Sequence, residues 1–326
     1  MNYPIEGTQI LVTGGAGCLG STIVDRLLEG GAQCVDVLDD LSEGYLGNLK
    51  GAYAHPNFGT IHEGNLAKTK FVNGVIQDYD YVIHCGGHLL LKAQADGHAA
   101  IDTNIKGTLN VLEASLAAGV RKVVFTSSIS IFGEPSYVPV DELHPLNNTT
   151  IYGATKIAGE HLCREFGRRG LPYSIIRPYN IYGPRQSPKN GAFSQVVPRW
   201  IRCIQRGQPI VIHGDGSQTM DLVHVRDMAE AHLLALISGN ADGEAFNIGT
   251  GVATSANDLA YHLTQIMGVP DHPIKFVSQD VNVVKLRCCD ITKARSILGY
   301  TPTYTLPSGL LSTVAWWRKQ EQRRGA

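Results

Sequence analysis

The sequence contains 326 residues with a formal net charge of -1, and 43% of the residues are hydrophobic. This composition predicts a soluble globular protein that can bury a large core and form two lobes. The near-zero charge argues against nucleic-acid and membrane-surface partners, which require basic patches. No segment approaches the roughly 20 apolar residues of a membrane span, and the N-terminus lacks the features of a signal peptide.

Seven cysteines are scattered along the chain. They form neither a CxxC pair nor a His/Cys cluster with zinc spacing. We therefore expect reduced thiols, a cytoplasmic protein and no metal site.

Apolar strand-like runs alternate with helical patterns in the first half of the chain. The strand-like runs lie at 9–13, 34–39, 81–85, 122–128 and 173–178, and the helical patterns at 19–28, 101–116 and 152–166. Such alternation predicts βαβ units, a parallel sheet and an α/β, doubly wound (Rossmann) fold.

The pattern changes after residue 178. Segment 183–191 is rich in proline and glycine, shorter amphipathic helices follow at 196–207 and 259–267, and 246–251 resembles a strand returning to the first lobe. We predict a first, cofactor-binding domain at 1–180 with a return segment near 221–250. Residues 181–326 are predicted to form mainly a smaller α/β lobe that binds the substrate.

A glycine-rich segment, VTGGAGCLGS, follows the first predicted strand and precedes a helix. Glycines at this position allow a tight turn and let a pyrophosphate approach the helix N-terminus. Asp39 ends the second strand, where a carboxylate binds the ribose hydroxyls of NAD and repels the extra phosphate of NADP. Neither Asp39 nor Asp40 is replaced by a basic residue, which favours NAD. The predicted cofactor contacts are Gly14, Gly17, Cys18, Leu19, Gly20, Asp39, Asp40, Ser42, Asn65, Leu66, Asn104, Tyr152 and Lys156.

A candidate catalytic group lies at the end of the strand at 122–128 and in the helix at 152–166. Ser128 ends the strand, and Tyr152 and Lys156 lie one helical turn apart on one face. A tyrosine with a pKa of about 10 is a weak base at neutral pH. A neighbouring lysine and a nicotinamide cation would favour its phenolate form.

These segments together resemble the extended short-chain dehydrogenase/reductase family, in particular its nucleotide-sugar epimerases and dehydratases. The resemblance covers TGGAGCLG, NIKGTLNVLEA, TSSISIFGE, YGATK, RPYNIYGPRQ and GDGSQTMDLVHVRDMAEA. It implies that Tyr152 is the general base, that Lys156 lowers its pKa and holds the nicotinamide ribose, and that Ser128 hydrogen-bonds the reacting hydroxyl. Asn104 and Asn180 match motif asparagines. The resemblance also implies a homodimer through the helices at 101–116 and 152–166.

Within this family, the residues after the catalytic serine separate the reactions. The 4,6-dehydratases carry an Asp-Glu pair there, whereas this sequence has Ile129 and Ser130, and the glutamate of the sugar-acid decarboxylases is also missing. The resemblance therefore favours 4-epimerisation of a UDP-hexose-type substrate, with Ser128, Ser130, Asn180 and Val196 in the substrate site.

Three departures from the family pattern leave a second reading open. Met220 stands where an arginine usually binds the diphosphate, the Arg-Pro-Gly run before residue 290 is missing, and Leu89 to Leu91 replace a small polar residue. Methionine offers no donor to a phosphate. The candidate replacements are Arg185, Lys189, Arg199, Lys285 and Arg287. The alternatives are a dehydrogenase of a non-nucleotide alcohol and an NAD-binding regulatory protein without turnover.

Overall fold

The computed structural model describes residues 4–186, 196–278 and 286–325. Its strands are β1 (Gln9–Thr13), β2 (Cys34–Asp39), β3 (Phe58–Glu63), β4 (Tyr81–His84), β5 (Lys122–Thr126), β6 (Tyr173–Pro178), β7 (Asn180–Tyr182), β8 (Ile210–His213), β9 (Thr219–His224), β10 (Ala245–Ile248), β11 (Ala253–Ser255) and β12 (Ile274–Val277). Its α-helices are α1 (Cys18–Glu29), α2 (Thr69–Val75), α3 (Leu90–Ala95), α4 (Gly97–Ala100), α5 (Gly107–Ala117), α6 (Ile151–Arg168), α7 (Val196–Gln205), α8 (Val225–Ile237), α9 (Ala256–Met267) and α10 (Leu306–Gly325).

The main sheet has seven strands in the order β3-β2-β1-β4-β5-β6-β10, and all neighbours are parallel. Helices α1 and α8 pack together on one face, and α2, α5 and α6 form a layer on the other face. The strand order reverses between β1 and β4, where the carboxyl ends of strands open a crevice for ligands. The predicted α/β, doubly wound fold is confirmed.

The helical pattern at 101–116 is the least regular of those predicted. Residues Ile101–Lys106 form wider turns, in which the N–H of Gly107 bonds to the carbonyl of Asp102, and regular α5 begins only at Gly107. The apolar residue that begins this pattern does not face the core, since Ile101 is 48% exposed while Asn104 is 3% exposed. Because of this wide turn, the side chain of Asn104 rather than that of Ile101 faces the protein interior.

Chain segments after residue 178 build two smaller sheets and also return to the main one. Strand β9 pairs with β7 and β11, and β8 pairs with β12. Their core contains Trp200 and Trp317 together with apolar residues of α7, α9 and α10. Strand β10 lies beside β6 at the edge of the main sheet. The lobe boundary at residue 180 stays a prediction.

None of the helices in the described ranges is long and apolar enough to cross a membrane. All seven cysteines are free thiols.

Candidate active site

A cavity of about 810 Å³ opens at the carboxyl ends of the main-sheet strands and extends between this sheet and the smaller ones. It contains most of the residues that the sequence singles out. Those that line it are Gly14, Gly17, Cys18, Leu19, Gly20, Asp39, Asp40, Ser42, Leu66, Ser128, Ser130, Tyr152, Lys156, Asn180 and Val196. Asn65 and Asn104 are not among the lining residues.

The turn between β1 and α1 leaves no room for a side chain at Gly14, Gly15 or Gly20. Gly14 has a φ of +67°, and a Cβ at Gly20 would lie 2.2 Å from the carbonyl oxygen of Gly14. Gly17 caps α1 without a side-chain hydrogen bond. The first N–H groups of α1 therefore face the cavity, where the helix dipole favours an anion.

Asp39 ends β2 with its carboxylate held by the backbone. Its two oxygens accept hydrogen bonds from the N–H groups of Ala16 and Leu41, both at 2.9 Å. Asp39 is 7% exposed and lines the cavity beside Asp40. The backbone thus fixes a carboxylate next to the anion-binding turn, as an adenosine ribose requires.

Ser128, Tyr152 and Lys156 come together at the centre of the cavity wall. Ser128 lies two residues after the end of β5, and its hydroxyl donates to the hydroxyl of Ser130 at 3.2 Å and acts on the pKa of the Tyr152 phenol. The Nζ of Lys156 lies 5.9 Å from the centre of the Tyr152 ring and donates to the carbonyl oxygen of Thr126 at 2.8 Å. Helix α6 can approach the segment after β5 this closely because Gly153 has no side chain. A Cβ at Gly153 would lie only 2.6 Å from the carbonyl oxygen of Ser130.

Burial sets the protonation states of this group. It raises the pKa of the Tyr152 phenol, and the Ser128 hydrogen bond opposes the rise. It also lowers the pKa of Lys156 to about 8. The raised pKa of Tyr152 is opposite to the sequence prediction, in which Lys156 lowers this pKa. The reason is that the phenol loses solvent while the ammonium group bonds to Thr126 instead of the phenol oxygen.

A buried ion pair supports this group from behind. The carboxylate of Glu160, one turn after Lys156 in α6, accepts from Nε and Nη2 of Arg177, both at 2.8 Å. It also accepts from the Ser127 hydroxyl at 2.7 Å. Glu160 thereby joins α6 to β6 and to the residue before Ser128.

Asn104 acts behind the cavity wall. Its amide oxygen accepts from the N–H of His88 at 2.7 Å, and its amide nitrogen donates to the carbonyl of His88 and to Thr155, both at 3.0 Å. Asn104 thus holds the segment that follows β4 and the helix that carries Tyr152. Asn65 accepts from the N–H of Ala67 at 2.8 Å in a local turn.

Sequence reasoning missed several cavity residues. They include Gly86, Gly87, His88, Trp200, His213 and Gln218. The first three directly follow β4 at the carboxyl edge of the sheet, so the rule that identified Ser128 could have found them. The others come from the smaller sheets and their helices, and no local pattern marks them.

The part of the cavity lined by residues from Ser128 onward, here called the substrate side, contains one of the departures from the family pattern. Met220 lines it, Leu89 and Leu90 line the cavity elsewhere, and Leu91 is not among the lining residues. Of the candidate cations, Arg199 and Arg287 line the substrate side, whereas Arg185 pairs with Asp25. Lys189 and Lys285 lie outside the described residues.

Charged side chains divide the cavity into two parts. Among the described lining residues, the carboxylates are Asp39, Asp40 and Glu43, all next to the glycine turn. The described lining residues of the substrate side include Lys156, Arg199 and Arg287, with no carboxylate. The described lining residues of the substrate side therefore carry a net positive charge, and none of them is a carboxylic acid that could act as a proton donor.

Known proteins with a similar sequence and fold include several nucleotide-sugar epimerases. A UDP-glucose 4-epimerase of Mycolicibacterium smegmatis is 37% identical over 96% of this chain and 100% of its own length. The crystal structure of a UDP-glucose 4-epimerase from Thermotoga maritima with UDP-glucose has 35% identity and a TM-score of 0.88, covering 96% of this chain and 99% of that one. A UDP-glucuronic acid 4-epimerase from Bacillus cereus, solved with UDP-glucuronic acid and NAD, has 29% identity and a TM-score of 0.86, covering 96% and 99%.

Related sequences also include other reactions, among them a UDP-N-acetyl-alpha-D-glucosaminuronate decarboxylase at 31% identity and a dTDP-glucose 4,6-dehydratase at 30%. The family described as NAD dependent epimerase/dehydratase matches residues 10–249. The glycine-rich turn, the start of α1 at the cavity and the backbone-held Asp39 fit a dinucleotide. The chain thus belongs to the NAD-dependent epimerase/dehydratase family of extended short-chain dehydrogenases/reductases, and its cofactor is NAD.

Proposed function

We propose that this enzyme interconverts the C4 epimers of a nucleotide-activated hexose of the UDP type. Bound NAD supplies a reversible hydride acceptor. The observation that carries the proposal is the substrate side of the cavity, which joins Ser128, Tyr152 and Lys156 to walls that have no carboxylate among the described lining residues. Such a site can take a proton from a hydroxyl and return it, but it has no acid to expel water from a neighbouring carbon.

Each member of the catalytic group has a role that its position supports. Tyr152 takes the proton of the sugar C4 hydroxyl and gives it back. Ser128 hydrogen-bonds the same oxygen as charge develops on it. Lys156 holds its ammonium group 5.9 Å from the centre of the Tyr152 ring, where it helps to position the nicotinamide ribose. Asn180 and Val196 lie on the substrate side, where they contact the sugar or its nucleotide.

The reaction ends as epimerisation because the described lining residues of the substrate side offer no carboxylate that could divert the 4-keto intermediate. Ile129 and Ser130 follow Ser128, and neither supplies the acid/base pair that an elimination requires. The keto sugar turns within the cavity and is reduced on its other face.

Proton NMR of the protein with NAD⁺ and a panel of UDP-hexoses, their N-acetyl forms and the uronates tests the proposal. We expect a new C4 epimer of at least one sugar to form without net formation of NADH. Unchanged sugars across the panel would refute the proposed substrate class.

A second candidate is a dehydrogenase of a non-nucleotide alcohol that uses the same catalytic group. The apolar Leu89, Leu90 and Met220 in the cavity lining favour it. Stoichiometric NADH accumulation with a simple alcohol would distinguish it from an epimerase, which recycles its cofactor. NAD binding without turnover of any substrate would indicate a regulatory protein, although the complete catalytic group argues against that reading.

We also propose a homodimer formed through α5 and α6. In the helical segment 101–116, Ile105, Leu109 and Leu116 are partly exposed, and Ile101 is 48% exposed. A second copy packing on these helices would cover them. Light scattering at micromolar concentration should give twice the mass of the chain, and a monomer mass would refute the dimer.

A further inference from the structure

The substrate side of the cavity contains an arginine, Arg287, whose guanidinium has no hydrogen-bond or ion-pair partner among the described residues. Arg287 is partly buried and lines the wall beside Tyr179 and Ile129, close to the segment that carries Ser128. Across the described ranges, its guanidinium has neither a hydrogen bond nor an ion pair within 4.0 Å. Arginine is seldom left this way in a protein wall, because its charge loses hydration without compensation.

Electrostatics around Arg287 indicate an incomplete site. Burial lowers the pKa of its guanidinium, and the carboxylate of Glu134 opposes this effect from a distance. Glu134 is an exposed residue and is not close enough to form an ion pair. Nothing in the described chain therefore neutralises Arg287 at contact distance, whereas Arg185 is neutralised by Asp25.

Backbone contacts bring Arg287 next to the position that lacks an anion-binding side chain. The N–H of Arg287 donates to the hydroxyl of Thr219 at 3.4 Å, so its segment runs along β9 beside Met220. Both Met220 and Arg287 line the substrate side. A thioether cannot donate to an anion, whereas a guanidinium offers a planar fork of donors.

We propose that Arg287 binds an anionic group of the substrate and thereby sets the enzyme's preference for charged nucleotide sugars. This inference rests on the proposed function. Two groups of such a substrate have the required oxygens: the diphosphate that joins nucleotide and sugar, and a carboxylate at C6 of a hexuronic acid. Both would accept two parallel hydrogen bonds from one guanidinium.

The test is calorimetric binding to Arg287→Met with NAD present, using UDP, UDP-glucose and UDP-glucuronic acid. A hydrogen-bonded charge pair predicts affinity that is weaker by about 10- to 100-fold. A loss for all three ligands would assign the diphosphate, and a loss for UDP-glucuronic acid alone would assign the carboxylate. Unchanged affinity for all three, with normal binding by the unaltered protein, would overturn the inference but not the proposed function. Failure of the unaltered protein to bind any of them would overturn both.

Three further variants control the experiment. Arg295→Met removes an exposed arginine outside the cavity and should not change any affinity. Glu134→Gln should also leave affinity unchanged, and a loss as large as that of Arg287→Met would instead indicate a structural pair between Glu134 and Arg287. Arg287→Lys keeps the charge but not the fork, so it should recover only part of the affinity.

Thermal unfolding separates a lost contact from a misfolded protein. Because the charge of Arg287 has no close partner among the described residues, Arg287→Met should unfold at an equal or higher temperature than the unaltered protein when no nucleotide is added. A lower unfolding temperature together with weaker binding of NAD itself would mean that Arg287 supports the fold, and would overturn the inference.

Discussion

Replacing Arg177 by Met should destabilise the protein in a way that depends on pH. Arg177 is 4% exposed at its side chain and Glu160 is 1% exposed, so the replacement leaves a carboxylate buried without its main partner. Glu160 keeps the Ser127 hydroxyl at 2.7 Å and Arg164 at 3.1 Å, but the side chain of Arg164 is 42% exposed and contributes little. Breaking a buried pair on one side costs about 3–5 kcal/mol of unfolding free energy.

The sign of the pH dependence follows from the pKa of Glu160. Interactions led by Arg177 hold this pKa below the ordinary value, against the opposing effect of burial. A lowered carboxylate pKa contributes stability that is present above the unfolded pKa, near 4.5, and is lost as pH falls through the folded value. Without Arg177, burial should raise the pKa of Glu160 instead. The difference between variant and unaltered protein should therefore be largest near neutral pH and shrink as the pH approaches the unfolded pKa.

Urea unfolding of the variant near pH 7 and near pH 5 measures both effects. Arg177→Met combined with Glu160→Leu should recover most of the lost free energy, because it removes the uncompensated charge. Glu165→Gln, at an exposed position of the same helix, is the matched control and should change stability by less than about 0.5 kcal/mol. A cost for Arg177→Met below about 1 kcal/mol, or an equal cost at both pH values, would refute this reasoning.

Three other predictions concern the cavity. Tyr152→Phe should abolish turnover and leave the affinity for NAD nearly unchanged by calorimetry, and near-normal turnover would contradict the proposed base. Gly20→Ala should weaken NAD binding strongly, because its Cβ would lie 2.2 Å from the carbonyl oxygen of Gly14, whereas Gly74→Ala, with nothing within 4 Å, should not. Lys156→Met should raise the free energy of unfolding near neutral pH, because it removes a buried ammonium whose pKa is lowered to about 8. This gain should shrink as pH rises from about 8 towards 10.5, and urea unfolding without that trend would contradict the assigned burial cost.

Local patterns carried the prediction of the main sheet and of the catalytic group. The strand periodicity, the glycine turn after β1 and the helical spacing of Tyr152 and Lys156 are each set within a few residues of chain. Such features depend on local backbone geometry, which the types and spacing of neighbouring residues largely determine. The predicted helices at 19–28 and 152–166 match α1 and α6 to within two residues at each end.

Features that depend on packing between distant segments were not predictable in this way. Arg185 and Arg287 were equal candidates in the sequence, yet one pairs with Asp25 and the other lines the cavity. Asn104 matched a motif but lies behind the wall, because the wide turn before α5 directs it towards His88. The pKa of Tyr152 depends on how completely the fold excludes water, which spacing alone does not determine.

The most direct test of the proposed function is the fate of the hydrogen at C4. The UDP-hexose that turns over in the NMR panel would be prepared with deuterium at C4 and incubated with the protein and NAD⁺ in ordinary water. The account predicts that the product epimer keeps its deuterium at C4, because the same hydride returns to the other face of the sugar. An epimer that carries solvent hydrogen at C4, or a keto sugar that accumulates with reduced cofactor, would contradict it.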